Sequence, residues 1–222
     1  YRWLEDTESE QTADWIAAEN KITQRYLQSI PARKTMQQRL TKLWNYERFG
    51  MPSHRGETYF YTHNDGLQNQ SVYYKAASLE APRQVLLNPN TLSEDGTVAL
   101  AGAVASKDGK LLAYGLADGG SDWRTWKVRD VASGKDLEDL VQWVKFSSIA
   151  WMPDGSGFFY GRYAEPQEGQ ELTGTNENQR MYFHRIGDPQ SKDQLILERP
   201  DHPKWGFSPA VTDDGRYLII QN

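Results

Sequence analysis

The sequence predicts a mainly β fold, an incomplete β-propeller preceded by two helices, and three observations carry that prediction. First, a phrase recurs: residues 104–115 (VASKDGKLLAYG), 150–161 (AWMPDGSGFFYG) and 210–221 (AVTDDGRYLIIQ) each place an Asp-Gly pair between apolar runs. Asp-Gly so flanked is a strong hairpin signal, because glycine accepts the positive φ of a tight turn. The pairs begin at Asp108, Asp154 and Asp214, roughly 45 to 60 residues apart, a period that strands fill as propeller blades. Second, short β-type runs follow one another in sets of about four per repeat, the strand number of a blade. Third, the first fifty residues carry helical spacing instead of strand alternation.

In chain order, Thr7 followed by Glu10 reads as a capping box, and Trp15, Ile16, Glu19, Ile22, Tyr26, Leu27 and Ile30 follow a three-and-four spacing. Pro31 ends this first helix, and Met36, Leu40, Leu43 and Trp44 set up a second apolar stripe. Strand runs at 57–63, 71–76 and 83–87 make a first blade. Runs at 98–106, 111–116, 123–131 and 140–144, with a Ser133-Gly134 turn before the last, make a second. Those at 149–152, 158–163, 181–186 and 194–198 make a third, and 210–212 with 217–220 begin a fourth. The division expected is a helical segment over 1–50 and propeller over 51–222. Both helical stripes need something to cover them, and an array stopping in its fourth blade leaves open sheet flanks, so the sequence reads as part of a longer protein.

Composition narrows the function. A net charge of −5 argues against nucleic acid, whose phosphates call for a basic face. No apolar run approaches the roughly 18 residues of a membrane span. With no cysteine, the chain offers neither disulfides, a thiolate zinc site nor a cysteine nucleophile. That suits the cytoplasm, or a bacterial periplasm if a leader upstream of Tyr1 has been removed.

The chemistry-bearing residues read as structural. No Gly-x-Ser-x-Gly elbow occurs, and Ser121 and Ser156 lie in turn-prone strand connections. His54, His63, His184 and His202 match no metal-ligand spacing. Glu5, Asp6, Glu8 and Glu10 suit the negative start of a helix, and Glu138-Asp139 reads as solvated loop. Neither a metal nor a cofactor is expected.

Specific words in the sequence go further. YRWLEDTESEQTADWIAAEN, NDGLQNQSVYY, LSEDGTVALAGAVASKDGKLLAYGLADGGSDW and VKFSSIAWMPDGSGFFY together resemble the amino-terminal portion of the prolyl oligopeptidases over residues 1–222. The resemblance implies a seven-bladed propeller inserted into an α/β-hydrolase peptidase domain, to which the two helices belong. It implies a serine peptidase that cleaves short peptides after proline, the propeller gating access. The partners implied are proline-containing peptides and the carboxy-terminal peptidase domain. Serine, aspartate and histidine of the triad would follow the propeller, so none is assigned here and the fragment should be inactive alone. One site residue carries over: Phe159, second aromatic of Gly157-Phe158-Phe159-Tyr160, would line the pocket for the residue upstream of proline. The competing readings are an ordinary blade aromatic at Phe159, a non-catalytic propeller that binds a peptide or protein, and a related oligopeptidase that cuts after basic residues.

Overall fold

The computed structural model describes residues 1–222, which divide into two units: Tyr1–Tyr46 with Asp65–Leu67, and Glu47–Asn64 with Gln68–Asn222. The first unit holds a 3-10 turn (Arg2–Glu5), helix α1 (Glu10–Ser29) and helix α2 (Arg33–Trp44). Helix α1 is capped by Ser9, whose hydroxyl accepts from the Thr12 amide at 3.3 Å, and not by Thr7, which the sequence favoured. Ser9 sits three residues before Thr12, where its oxygen reaches an otherwise unpaired amide, while Thr7 contacts only the adjacent Glu8. Thr12 is itself buried and donates to the Trp3 carbonyl at 3.2 Å, and the Trp3 ring meets Trp15 edge-on at 6.2 Å. The rest of both stripes lies open: Trp15, Ile16, Ile22, Tyr26, Met36, Leu40, Leu43 and Trp44 are all exposed. Neither helix is long and apolar enough to cross a membrane.

The second unit is a series of antiparallel sheets. Strands β1 (Arg48–Phe49) and β2 (Ser53–Arg55) both pair with β3 (Thr58–Asn64), followed by β4 (Val72–Ala76) and β5 (Gln84–Leu87). In effect β1 and β2 are one strand interrupted at Gly50-Met51-Pro52: Phe49 opposes His63, and Ser53 opposes Phe60, a slip of one residue. The sequence predicted three strands for this blade, because residues 48–55 show no apolar alternation to announce the fourth and Pro52 argues against a strand. The second sheet is β6 (Ala99–Ala105), β7 (Leu111–Ala117), β8 (Arg124–Asp130) and β9 (Asp136–Val144). The third is β10 (Ile149–Trp151), β11 (Gly157–Arg162), β12 (Arg180–Arg185) and β13 (Gln194–Leu197). A two-stranded sheet, β14 (Ser208–Val211) with β15 (Leu218–Gln221), opens the fourth blade. The architecture is that of an incomplete propeller, its sheets not closed into a ring.

The core lies between sheets, not within them. Phe60, Tyr73, Leu86 and Leu87 of the first blade meet Ala105, Leu112, Tyr114 and Val131 of the second. The other side of the second blade supplies Ala113, Trp126, Val128, Val141 and Val144 to a second cluster with Ile149, Trp151, Phe158 and Tyr160 of the third. Neighbours along β7 therefore serve opposite cores, Leu112 and Tyr114 toward one blade and Ala113 toward the other. Trp126 is almost fully buried because Gly102 and Gly115 lie against its indole. A Cβ at either position would stand 2.9 Å from a ring carbon.

The three Asp-Gly hairpins are built alike. Gly109, Gly155 and Gly215 have φ of 73°, 71° and 71°, and each donates its amide to the carbonyl three residues earlier. Asp108, Asp154 and Asp214 are not at positive φ, which excludes the two-residue type I′ turn and leaves a wider turn closed by a left-handed glycine. The aspartates organise the loop: Asp108 accepts from Ser106 at 2.7 Å and Lys110 N at 3.1 Å, and Asp214 from Thr212 at 2.6 Å and Arg216 N at 3.1 Å.

Candidate functional site

Strand β11 positions the one residue for which the sequence suggested contact with substrate. Alternation along it sends Phe158 and Tyr160 into the seam with the second blade, where both are 0% exposed, and leaves Phe159 on the opposite face. Phe159 is half-buried and pairs across the sheet with Phe183 of β12, ring centroids 4.9 Å apart. Gly157 makes this possible, since a Cβ there would stand 2.6 Å from Phe183 Cζ and 2.2 Å from the His184 carbonyl oxygen. Gly161 shares the face of Phe159, and its Cβ position lies 2.8 Å from the carbonyl oxygen of Phe207, just before β14. The Phe159–Phe183 pair is thus an aromatic surface beside the start of the fourth blade. Such a surface can pack on an apolar side chain without asking for hydrogen bonds.

The polar frame around it is well tied. Ser147 donates to the Phe207 carbonyl at 2.9 Å and accepts from the Gly161 amide at 3.0 Å, while Gln179 donates to the Lys145 carbonyl at 2.8 Å and accepts from Phe207 N. Next to this frame, Trp143, Phe146 and Asn178 adopt φ of 62°, 53° and 60°, a left-handed conformation that asparagine tolerates and that costs the two aromatic residues free energy. Trp143 and Tyr163 meet Trp123 edge-on at 5.7 and 6.2 Å, and the buried Lys145 places its Nζ 4.0 Å from the Trp123 ring centroid.

Other candidate groups resolve differently. Ser156 belongs to its turn, its hydroxyl and amide both bound to Asp154 at 2.7 and 3.0 Å, and these two bonds hold the Asp154 carboxyl below its ordinary range. Ser121 likewise accepts from the Trp123 amide at 3.1 Å. His54 rests on Tyr59, His202 stacks on Trp205 at 3.9 Å, and His63 contacts Glu47 at 2.6 Å. Asp139, expected in a solvated loop, is instead 4% exposed in β9. The strand runs further back than its apolar residues announced, and Asp139 shares the inward face of Val141. It meets His184 Nε2 at 3.1 Å, and Asp193 meets Nδ1 at 2.7 Å. With carboxylates on both ring nitrogens, His184 has no nitrogen left to activate a hydroxyl nucleophile. A separate cleft of about 910 Å³ between the first two blades is lined by Gln84, Lys110 and Asp130 among others, and excludes Phe159. Lys75, also in its lining, donates to the carbonyls of Val131 and Ala132.

The series of four antiparallel sheets packed face to face defines a β-propeller domain. Residues 1–222 match the family described as prolyl oligopeptidase, N-terminal beta-propeller domain, and the chain belongs to that family. Among its relatives, the prolyl endopeptidase of Elizabethkingia meningoseptica is 41% identical over 220 residues, covering 99% of this chain and 31% of the relative. The prolyl oligopeptidase ophP of Omphalotus olearius is 36% identical, over 96% of this chain and 31% of the relative. Of solved structures, one from a study of two prolyl endopeptidases and inter-domain dynamics superposes with a TM-score of 0.72 at 42% identity, over 99% of this chain and 31% of that one. Prolyl oligopeptidase B of Galerina marginata, bound to a 35mer hydrolysis and macrocyclization substrate, superposes with a TM-score of 0.86 at 29% identity, covering 99% of this chain and 33% of that one. The chain spans about a third of the length of these relatives.

Proposed function

We propose that this chain is the amino-terminal part of a serine-type oligopeptidase that hydrolyses short peptides after proline, with the propeller controlling access to the active site. The observation that carries the reading is the full-length family match, residues 1–222. Two structural features support it. The open apolar stripes of α1 and α2 suit docking onto a carboxy-terminal peptidase domain, whose burial would recover the hydrophobic free energy those side chains forgo in water. Phe159, held on Phe183, offers a pocket wall for the residue upstream of proline.

The test uses the longer protein encoded by the gene and a blocked Gly-Pro substrate with a chromogenic leaving group. Turnover that disappears when proline is replaced by alanine is the expected result, and no turnover, or cleavage after basic residues instead, would overturn the proposal. Residues 1–222 alone should give no turnover. For the pocket role, Phe159→Ala is expected to raise KM several-fold while leaving kcat within about twofold, the pattern of lost uniform binding. Unchanged kinetics would return Phe159 to the sheet as an ordinary aromatic.

A further inference from the structure

From the geometry at the second-to-third blade seam we propose that Asp139, His184 and Asp193 form a proton-held clamp, in which a doubly bonded imidazolium locks β9 of one blade to β12 and to the segment before β13 of the next. His184 is 0% exposed, and both of its ring nitrogens face carboxylate oxygens: Nδ1 lies 2.7 Å from Asp193 Oδ1 and Nε2 lies 3.1 Å from Asp139 Oδ1. A carboxylate only accepts, and a neutral imidazole has one N–H and one lone pair, so a neutral ring would aim its lone pair at an anion. Protonation makes both nitrogens donors and places one positive charge between two negative ones, the arrangement a buried charge requires.

The surroundings are consistent with that state. Asp193 also accepts from the Tyr160 hydroxyl at 2.6 Å, and Gln190 donates to the same hydroxyl at 3.2 Å. Asp139 also accepts from the Gly187 amide at 2.7 Å, which ties the turn after β12 to the neighbouring blade. The Phe158 ring lies 5.1 Å from His184, and Arg162, two residues along β11 from Tyr160, is placed over the Tyr182 ring at 4.2 Å. Thus the groups that face the imidazole are Asp139 from β9, Asp193 from the segment before β13, and, through Asp193, Tyr160 from β11 with Arg162 on the same face. Burial alone would depress the His184 pKa, but the bonds and charges of Asp193 and Asp139 outweigh it and hold the value above the ordinary imidazole range.

The sign of the pH effect follows. With a folded pKa above the unfolded one, the clamp's contribution is complete below about pH 6.5, the ordinary histidine value, and is lost as pH rises through the folded value. Over that interval the opening equilibrium should shift by up to about tenfold per pH unit, one proton's worth.

Amide hydrogen exchange on the full-length protein, corrected for the intrinsic pH dependence of exchange, tests this between pH 6 and 9. Protection of the Gly187 amide, whose acceptor is Asp139, is expected to fall with rising pH while that of Leu87 in β5, a strand without histidine, stays flat. In His184→Gln the pH dependence at Gly187 should vanish, and in Asp139→Asn it should shrink. A flat Gly187 profile in the unaltered protein overturns the clamp without reference to any variant, and so does an equal slope in His184→Gln.

Discussion

Adjacent aromatic residues on β11 have opposite physical situations, and mutating each isolates them. Phe158 is fully buried in the seam, so Phe158→Ala should cost about 3–5 kcal/mol in a urea melt, the usual range for removing a buried phenylalanine. Phe159→Ala removes a half-buried ring that touches Phe183, and its cost should fall well below that range. Comparable losses for the two would mean that Phe159 is core. The alternation that separates them was legible in the sequence, as was the helical spacing of Trp15, Ile22 and Tyr26. His184 and Asp139 were not. A histidine and an aspartate 45 residues apart carry no mutual signal in one sequence, and their meeting depends on two blades packing face to face. The one available hint was local: in a strand, Asp139 two residues before Val141 shares its inward face.

The repeated turns allow a controlled comparison at the level of the element. Gly109 and Gly155 hold the same position with nearly the same φ, 73° and 71°, but their surroundings differ. A Cβ on Gly155 meets nothing within 4 Å, whereas one on Gly109 would stand 2.3 Å from the Arg55 carbonyl oxygen of the first blade. Gly155→Ala should therefore cost about 1–2 kcal/mol, the left-handed strain of an L residue. Gly109→Ala should cost clearly more, because strain and collision add; equal losses in chemical denaturation would show that the backbone at Arg55 yields freely. At α1, Ser9→Ala should remove about 1 kcal/mol of helix stability, seen as faster exchange of the Thr12 amide, while Thr7→Ala should change little. The sequence located the helix but misplaced its cap by two residues, since Ser and Thr are both good caps and only the backbone decides which oxygen reaches an amide. The interrupted first strand was missed for a related reason. Its side chains do meet β3, Phe49 on His63 at 4.6 Å and His54 on Tyr59 at 4.4 Å, but Gly50, Pro52 and the polar residues among them leave no apolar alternation for a pattern to reveal.

For the whole molecule, the exposed stripes of α1 and α2 test the proposed docking onto a peptidase domain. Ile22 at 59%, Tyr26 at 68% and Met36 at 61% exposure are large for apolar helix positions at stripe spacing. The isolated chain should bind a hydrophobic dye strongly and lose much of that binding in the full-length protein; equal dye binding per molecule would mean that the stripes face solvent in both. Fold class was legible from period and turn chemistry alone, while activity was not, because residues 1–222 hold no Gly-x-Ser-x-Gly elbow or other catalytic set that spacing could reveal.

The placement of the core between the sheets has a consequence for how such a chain can be altered. Leu112 and Ala113 are neighbours in one strand yet belong to different cores, so no blade possesses an interior of its own. Removing a blade, or exchanging it for a foreign one, breaks two interiors at once and leaves matched half-surfaces such as Trp126 and Phe158 facing strangers. The module that can be copied intact in this architecture is the seam, the rear face of one blade with the front face of the next. A viable graft must therefore keep seam partners matched, moving Trp126 and Val128 of β8 together with Trp151 and Phe158 of the third blade.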